Sequence, residues 1–155
     1  TAADEATLEA ALFAGHVPVL VVPEGKTLRR PRRIVVAWNM SAEAMSAIRS
    51  ALPLLKEAEA TNIVVVDPPK HSSDRSDPGG ELSQMLARHG VKPEISVIAQ
   101  TMPKTSAVIA RHCEDQEADL LVMGAYGHSR FREAIFGGAT RDLLENAAVP
   151  VIMAH

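Results

Sequence analysis

The chain has 155 residues, 46% of them hydrophobic and 23% charged, with a formal net charge of −3 and a single cysteine. That length suits one domain with a sizeable core, and the mild acidity gives no general reason to expect nucleic acid as a partner. Cys113 alone excludes an internal disulfide framework, no apolar run approaches the roughly 20 residues of a membrane span, and the acidic N-terminal stretch is unlike a signal peptide.

In chain order, residues 1–25 read as a helix (Leu8–Ala14) followed by a strand (Val17–Val22). A basic stretch follows, with Lys26, Arg29, Arg30, Arg32 and Arg33, and residues 26–32 read as a solvated linker. Ile34–Trp38 is a short, nearly all-apolar run of the kind that makes a buried parallel strand. Ser41 then stands as a helix N-cap, with Ala44, Met45, Ile48, Leu52 and Leu55 at helical spacing. A second buried strand, Asn62–Val66, leads through the loop Lys70–Gly80 to a helix marked by Leu82, Met85 and Leu86. Glu94–Ile98 is less apolar and fits a strand at the sheet edge. The helix Thr105–Glu114 carries Val108, Ile109 and Cys113 on its apolar side, which makes Cys113 a buried structural thiol and leaves His112 exposed. Leu120–Met123, a helix with Leu143, Leu144 and Ala147, and the strand Val149–Met153 complete the series. Strands alternating with helices predict an α/β fold: an open, five-stranded parallel sheet with helices on both faces, plus the extra N-terminal helix-strand.

Ligands in such sheets lie beyond the carboxyl ends of the strands, where the strand order reverses. The segment that leaves Leu120–Met123 has the composition for it: Gly124 and Gly127, then nine residues, then Gly137-Gly138-Ala139-Thr140. Glycines let backbone N–H groups approach an anion closely, and a following helix start adds its dipole. A simple turn is the other reading of the same glycines. His128 and Ser129 are either hydrogen-bond donors to a phosphate or solvated loop residues. Val66 and Asp67 end the second strand beside the same place. No lysine-containing phosphate loop, nucleophile elbow, paired carboxylates or metal-ligand spacing is present in the sequence. Binding is therefore expected in preference to catalysis, with weak hydrolysis as the most that the chain would support.

The two ends of the chain also resemble each other. Leu8–Ala14 followed by Val17-Pro18-Val19 parallels Leu143–Ala148 followed by Val149-Pro150-Val151. This pattern reads as an internal repeat of which the N-terminus holds only the tail.

The glycine spacing, the approach Ala118-Asp119-Leu120-Leu121-Val122-Met123-Gly124 and the closing Val-Pro-Val strand together resemble the universal stress protein family from about Arg33 to His155. The N-terminal remnant resembles the tandem branch of that family, so residues 1–25 would be the tail of a preceding repeat and residues 33–155 a nucleotide-binding domain. The resemblance implies a cytoplasmic stress-response module that binds an adenine nucleotide, ATP or AMP, with Mg2+ only alongside the nucleotide. The implied contacts are Asn39, Val66, Met123, Gly124, Gly127, His128, Ser129, Gly137, Gly138, Ala139 and Thr140. Two of these depart from the family's pattern: Asn39 stands where binding members carry an Asp, and Gly138 where they carry a hydroxyl. The resemblance also implies a homodimer, or pairing with a second such domain, through Val149–Met153, with Val17–Val22 as an antiparallel partner for that strand either within the chain or between two chains. The alternative is a degenerate domain without nucleotide that serves assembly through this closing edge strand. Neither nucleic acid nor membrane is expected as a partner.

Overall fold

The computed structural model describes residues 2–68, 77–125 and 145–155. Its six strands are β1 (Val19–Val21), β2 (Arg33–Ala37), β3 (Ala60–Val66), β4 (Pro93–Ile98), β5 (Leu120–Gly124) and β6 (Val151–Ala154). They form one sheet in the order β1-β6-β5-β2-β3-β4. Strands β2 to β6 are parallel, and β1 is antiparallel to β6. The N-terminal strand expected as an addition to the five-stranded sheet is thus its sixth strand.

Helices cover both faces. On one face α2 (Ala42–Glu57) and α3 (Gly80–Arg88) bury Ile34, Val36, Ile63, Val65, Leu120, Val122 and Ile152. On the other, α1 (Ala2–Glu9) with the π-helical turn Ala10–Ala14, and α4 (Thr105–Asp115), cover Val35, Val64, Leu121, Met123, Val151 and Met153. Residues adjacent in a strand alternate between the two cores, so the central strands are largely apolar, with Thr61 and Asn62 of β3 buried polar exceptions. β4 lies at the edge, where Ile95 and Val97 are exposed.

α2 starts where the sequence predicts. Ser41 is extended (φ −81°, ψ 155°), and its Oγ accepts from the Ala44 N–H at 3.1 Å. The buried stripe is Ala44, Ala47, Ile48, Ala51 and Leu55, with Met45 and Leu52 only packed against it. Three alanines in that stripe bring the helix backbone close to the sheet. β6 begins two residues later than the sequence suggests, after Pro150, which has no N–H to give to a ladder.

The basic stretch meets β2 through its backbone. The Asp119 carboxylate accepts from the N–H groups of Arg32 (2.9 Å) and Arg33 (3.0 Å), and the Asp119 N–H donates to the Arg33 carbonyl. Arg30 pairs with Glu57 on the surface. One expectation is overturned: His112 is buried, at 8% exposure. Its Nε2–H donates to Asn62 Oδ1 (2.7 Å), and Asn62 Nδ2 donates to Ser96 Oγ (3.0 Å). A polar partner on β3 lets an imidazole sit inside a core, which the helical periodicity of α4 alone does not reveal.

Candidate functional site at the carboxyl ends of β2 and β5

From β2 the chain moves outward through β3 to β4, then returns to place β5 and β6 on the other side of β2. The strand order therefore reverses between β2 and β5, and the crevice beyond Ala37 and Gly124 is where a sheet of this type takes its ligand.

Gly124 ends β5 against the first turn of α2. A Cβ built there would lie 2.5 Å from the Ala44 nitrogen and 2.9 Å from its Cα. Nothing larger than glycine fits, because the obstacle is helix backbone. The first glycine of the loop thus has a packing reason that exists before any ligand: it lets α2 and β5 converge at the mouth of the crevice.

Across the crevice β2 runs out through Trp38, whose N–H donates to the Val64 carbonyl (3.0 Å), into Asn39-Met40-Ser41. Asn39 is exposed, and its Oδ1 accepts from the Ser41 N–H (3.2 Å) and the Ser41 hydroxyl (2.6 Å). Ser41 passes the chain on to Ala44, so Asn39, Ser41 and the first turn of α2 form one relay ending beside Gly124. Met40 (φ 64°) and Asp67 (φ 43°), just past the ends of β2 and β3, both sit in the left-handed region. Conformations of this kind cost a non-glycine residue energy and mark chain reversals that the surroundings enforce. The Asp67 N–H donates to the Ile98 carbonyl (3.0 Å).

Of the contacts expected from sequence, Asn39, Val66, Met123 and Gly124 are described. The structure brings Asn39 and Gly124 to the reversal point. Val66 ends the neighbouring strand with its side chain half-buried in the second core, and Met123 is 6% exposed in that same core. Both side chains serve packing, which leaves their backbones as the parts a ligand can meet. Gly127, His128, Ser129, Gly137, Gly138, Ala139 and Thr140 lie outside the described residues. Sequence reading treated Ser41 only as a helix cap and missed its link to Asn39. The signal available was the Asn-x-Ser spacing, which permits a side-chain turn onto the residue two positions on.

Away from the crevice, Cys113 lines an apolar cavity of about 190 Å³ together with Leu121, Val149 and Val151. Burial, reinforced by the Glu114 charge, pushes its thiol up to about 12, far from the range of a nucleophilic cysteine. Burial also lowers the pKa of His112, with the nearby Asp115 acting in the opposite sense. Among the described residues no three His, Cys, Asp or Glu side chains gather as metal ligands, and no helix is long and apolar enough to cross a membrane.

The sequence model of the universal stress protein family matches residues 31–155. The chain belongs to that family. A universal stress protein of Synechocystis, Slr1230, is 29% identical over 143 residues, which are 87% of this chain and 46% of the relative. The chain thus spans about half the length of the curated relative it matches. A universal stress protein from Archaeoglobus fulgidus has the same fold, with a TM-score of 0.70 at 19% identity over 90% of this chain and 50% of that one. A universal stress protein solved in complex with cAMP superimposes with a TM-score of 0.64 at 16% identity, over 81% of this chain and 97% of the other. This universal stress domain shares its fold with those structures, and its own strand order reverses between β2 and β5.

Proposed function

We propose that this domain binds an adenine nucleotide, ATP or AMP, in the crevice between β2 and β5 and acts as a regulatory module without efficient turnover. The observation that carries this reading is the convergence at the strand-order reversal. Gly124 ends β5 there against the first turn of α2, and Asn39 stands just beyond the end of β2, bonded to the Ser41 that caps the same helix. A structural neighbour in complex with cAMP, itself an adenine nucleotide, supports the same ligand class. In this reading the backbones of Val66 and Met123 border the base and ribose, and the segment carrying Gly127, His128, Ser129, Gly137, Gly138, Ala139 and Thr140 holds the phosphates. Mg2+ enters only with the nucleotide. Occupancy changes what a partner meets.

The test is the nucleotide content of freshly purified protein, denatured and read by mass spectrometry, with thermal shifts against millimolar ATP and AMP. Stoichiometric adenine nucleotide, or a clear upward shift that Gly127→Val abolishes, supports the reading. An empty extract with no shift removes it.

A second reading, an assembly domain without nucleotide, has one observation in its favour: β6 makes an antiparallel edge pairing. Its partner is β1 of the same chain, through Val19↔Met153, Leu20↔Ile152 and Val21↔Val151. A homodimer through Val149–Met153 would have to displace β1. Deleting residues 1–24 would free that edge, and the expected outcome is a shift to dimer or aggregate in analytical ultracentrifugation. An unchanged monomer would remove this reading.

A further inference from the structure

We propose that Asn39 meets the base of the bound nucleotide as a hydrogen-bond donor. The crevice then selects a purine through a ring nitrogen or an oxo group and does not require the 6-amino group of adenine. This inference rests on the nucleotide reading above and concerns how that site reads its base.

The direction of the Asn39 amide is set by a group with no choice of role. The Ser41 backbone N–H can only donate, so the amide atom 3.2 Å from it is the oxygen, Oδ1, and not the nitrogen. A second constraint comes from the helix. Ser41 Oγ accepts from the Ala44 N–H at 3.1 Å, which leaves the hydroxyl hydrogen to donate, and Asn39 Oδ1 lies 2.6 Å away. Polarity therefore runs one way, from the first turn of α2 through Ser41 to Asn39. A carboxamide oxygen has two lone pairs, and Ser41 engages both. The other end of the amide is Nδ2, which can only donate. An amide that accepts at its oxygen also donates more strongly at its nitrogen.

The backbone that carries this amide is held from several sides. The Trp38 N–H donates to the Val64 carbonyl (3.0 Å), which pins the end of β2 to β3. Met40, at φ 64°, turns the chain between Asn39 and Ser41. The Ser41 end is fixed by α2, whose first turn lies against Gly124 too closely for a Cβ. Asn39 is exposed, yet its amide has a set direction, and that direction is built without a ligand.

Base chemistry then sorts what can bind. An asparagine that reads adenine in full uses both ends of its amide: Nδ2 donates to a ring nitrogen while Oδ1 accepts from the 6-amino group. In this chain Oδ1 is committed to Ser41, so only the donor half of that pair remains. Ring nitrogens satisfy a donor, and so does the oxo group of a 6-oxopurine. The 6-amino group does not, because it brings a donor to a donor. The purine ring is thus read, and the group that distinguishes adenine is not.

The test compares AMP with purine riboside 5′-monophosphate, which has the same ring nitrogens and no 6-amino group. Affinities are measured by isothermal titration with the intact protein and with Asn39→Asp. The aspartate keeps an acceptor for Ser41 and places a second acceptor where Nδ2 stood, which in these two ligands only the 6-amino hydrogens can meet. The expected result is that the intact protein binds both nucleotides within about threefold of each other, while Asn39→Asp favours AMP by about tenfold. A preference of about tenfold for AMP in the intact protein would overturn the inference and leave the nucleotide site standing. An affinity ratio that Asn39→Asp does not change would overturn it in the same way. Absence of binding by both nucleotides would remove the nucleotide reading and this inference with it.

Discussion

Two polar relays in this molecule use almost the same residues and have opposite characters. Asn39, Ser41 and the Ala44 N–H form one at the exposed mouth of the β2/β5 crevice. Asn62, Ser96 and His112 form the other inside the second core, where Asn62 is 7% exposed. Within the core every bond must be made internally, because an unpaired polar group there loses its water for nothing. Such a relay is committed to packing. The exposed one stands at the strand-order reversal, where water or a ligand competes on equal terms, so its geometry can be changed by binding. Chemistry alone does not separate the two; burial and position do.

The comparison breaks most severely at Gly124. Gly124→Val forces side-chain carbon into the α2 backbone and should cost about 3 kcal/mol by urea unfolding. It should also abolish nucleotide binding in any variant that still folds. Asn62→Ala should cost about 2 kcal/mol, because the His112 Nε2–H is left buried without an acceptor. Nucleotide-induced thermal shifts should be unaffected, since that relay does not reach the crevice. The double variant Asn62→Val with His112→Leu should recover part of the loss. A binding defect in Asn62→Ala with normal stability would contradict the division drawn between the relays.

The pH dependence sharpens the same contrast. The folded state holds the Cys113 proton well above the ordinary value of 9.0, up to about 12. Stability from this source is complete below pH 9.0 and falls as pH rises, by at most about 1.4 kcal/mol per pH unit. Cys113→Ala should flatten that alkaline slope in denaturant titrations. His112 acts at the other end. Its lowered folded pKa means that the unfolded chain takes up a proton first, so stability is full above 6.5 and declines as pH falls below it. His112→Leu should remove that acid-side decline. The smallest effect is expected at the exposed relay: Ser41→Ala should cost about 1 kcal/mol through the lost cap, and it should weaken nucleotide binding if Asn39 depends on Ser41 for its orientation.

Much of the scaffold was legible from local pattern. The apolar runs at 34–38, 62–66 and 120–123 are strands to within two residues, because buried parallel strands need apolar side chains on both faces. Ser41 caps α2 as expected, and the weakly apolar run at 94–98 lies at the edge. His112 was misread because helical spacing reports which face a residue occupies, while burying an imidazole depends on a partner fifty residues away in sequence. The Asn39–Ser41 relay was within reach of local reasoning. The meeting of α2 with Gly124 was not.

The sequence by itself determined the alternation of strands and helices, the membership of the chain in an α/β class, and the presence of a glycine segment after β5. These follow from short-range periodicity and from the backbone freedom of glycine. Only the tertiary structure decided that β2 lies between β3 and β5, that Gly124 is required by the α2 backbone, and that β1 of the same chain pairs with β6. Each of these depends on contacts between residues far apart in the chain. Strand order and register are chosen by the packing of whole faces, which no local window of sequence contains.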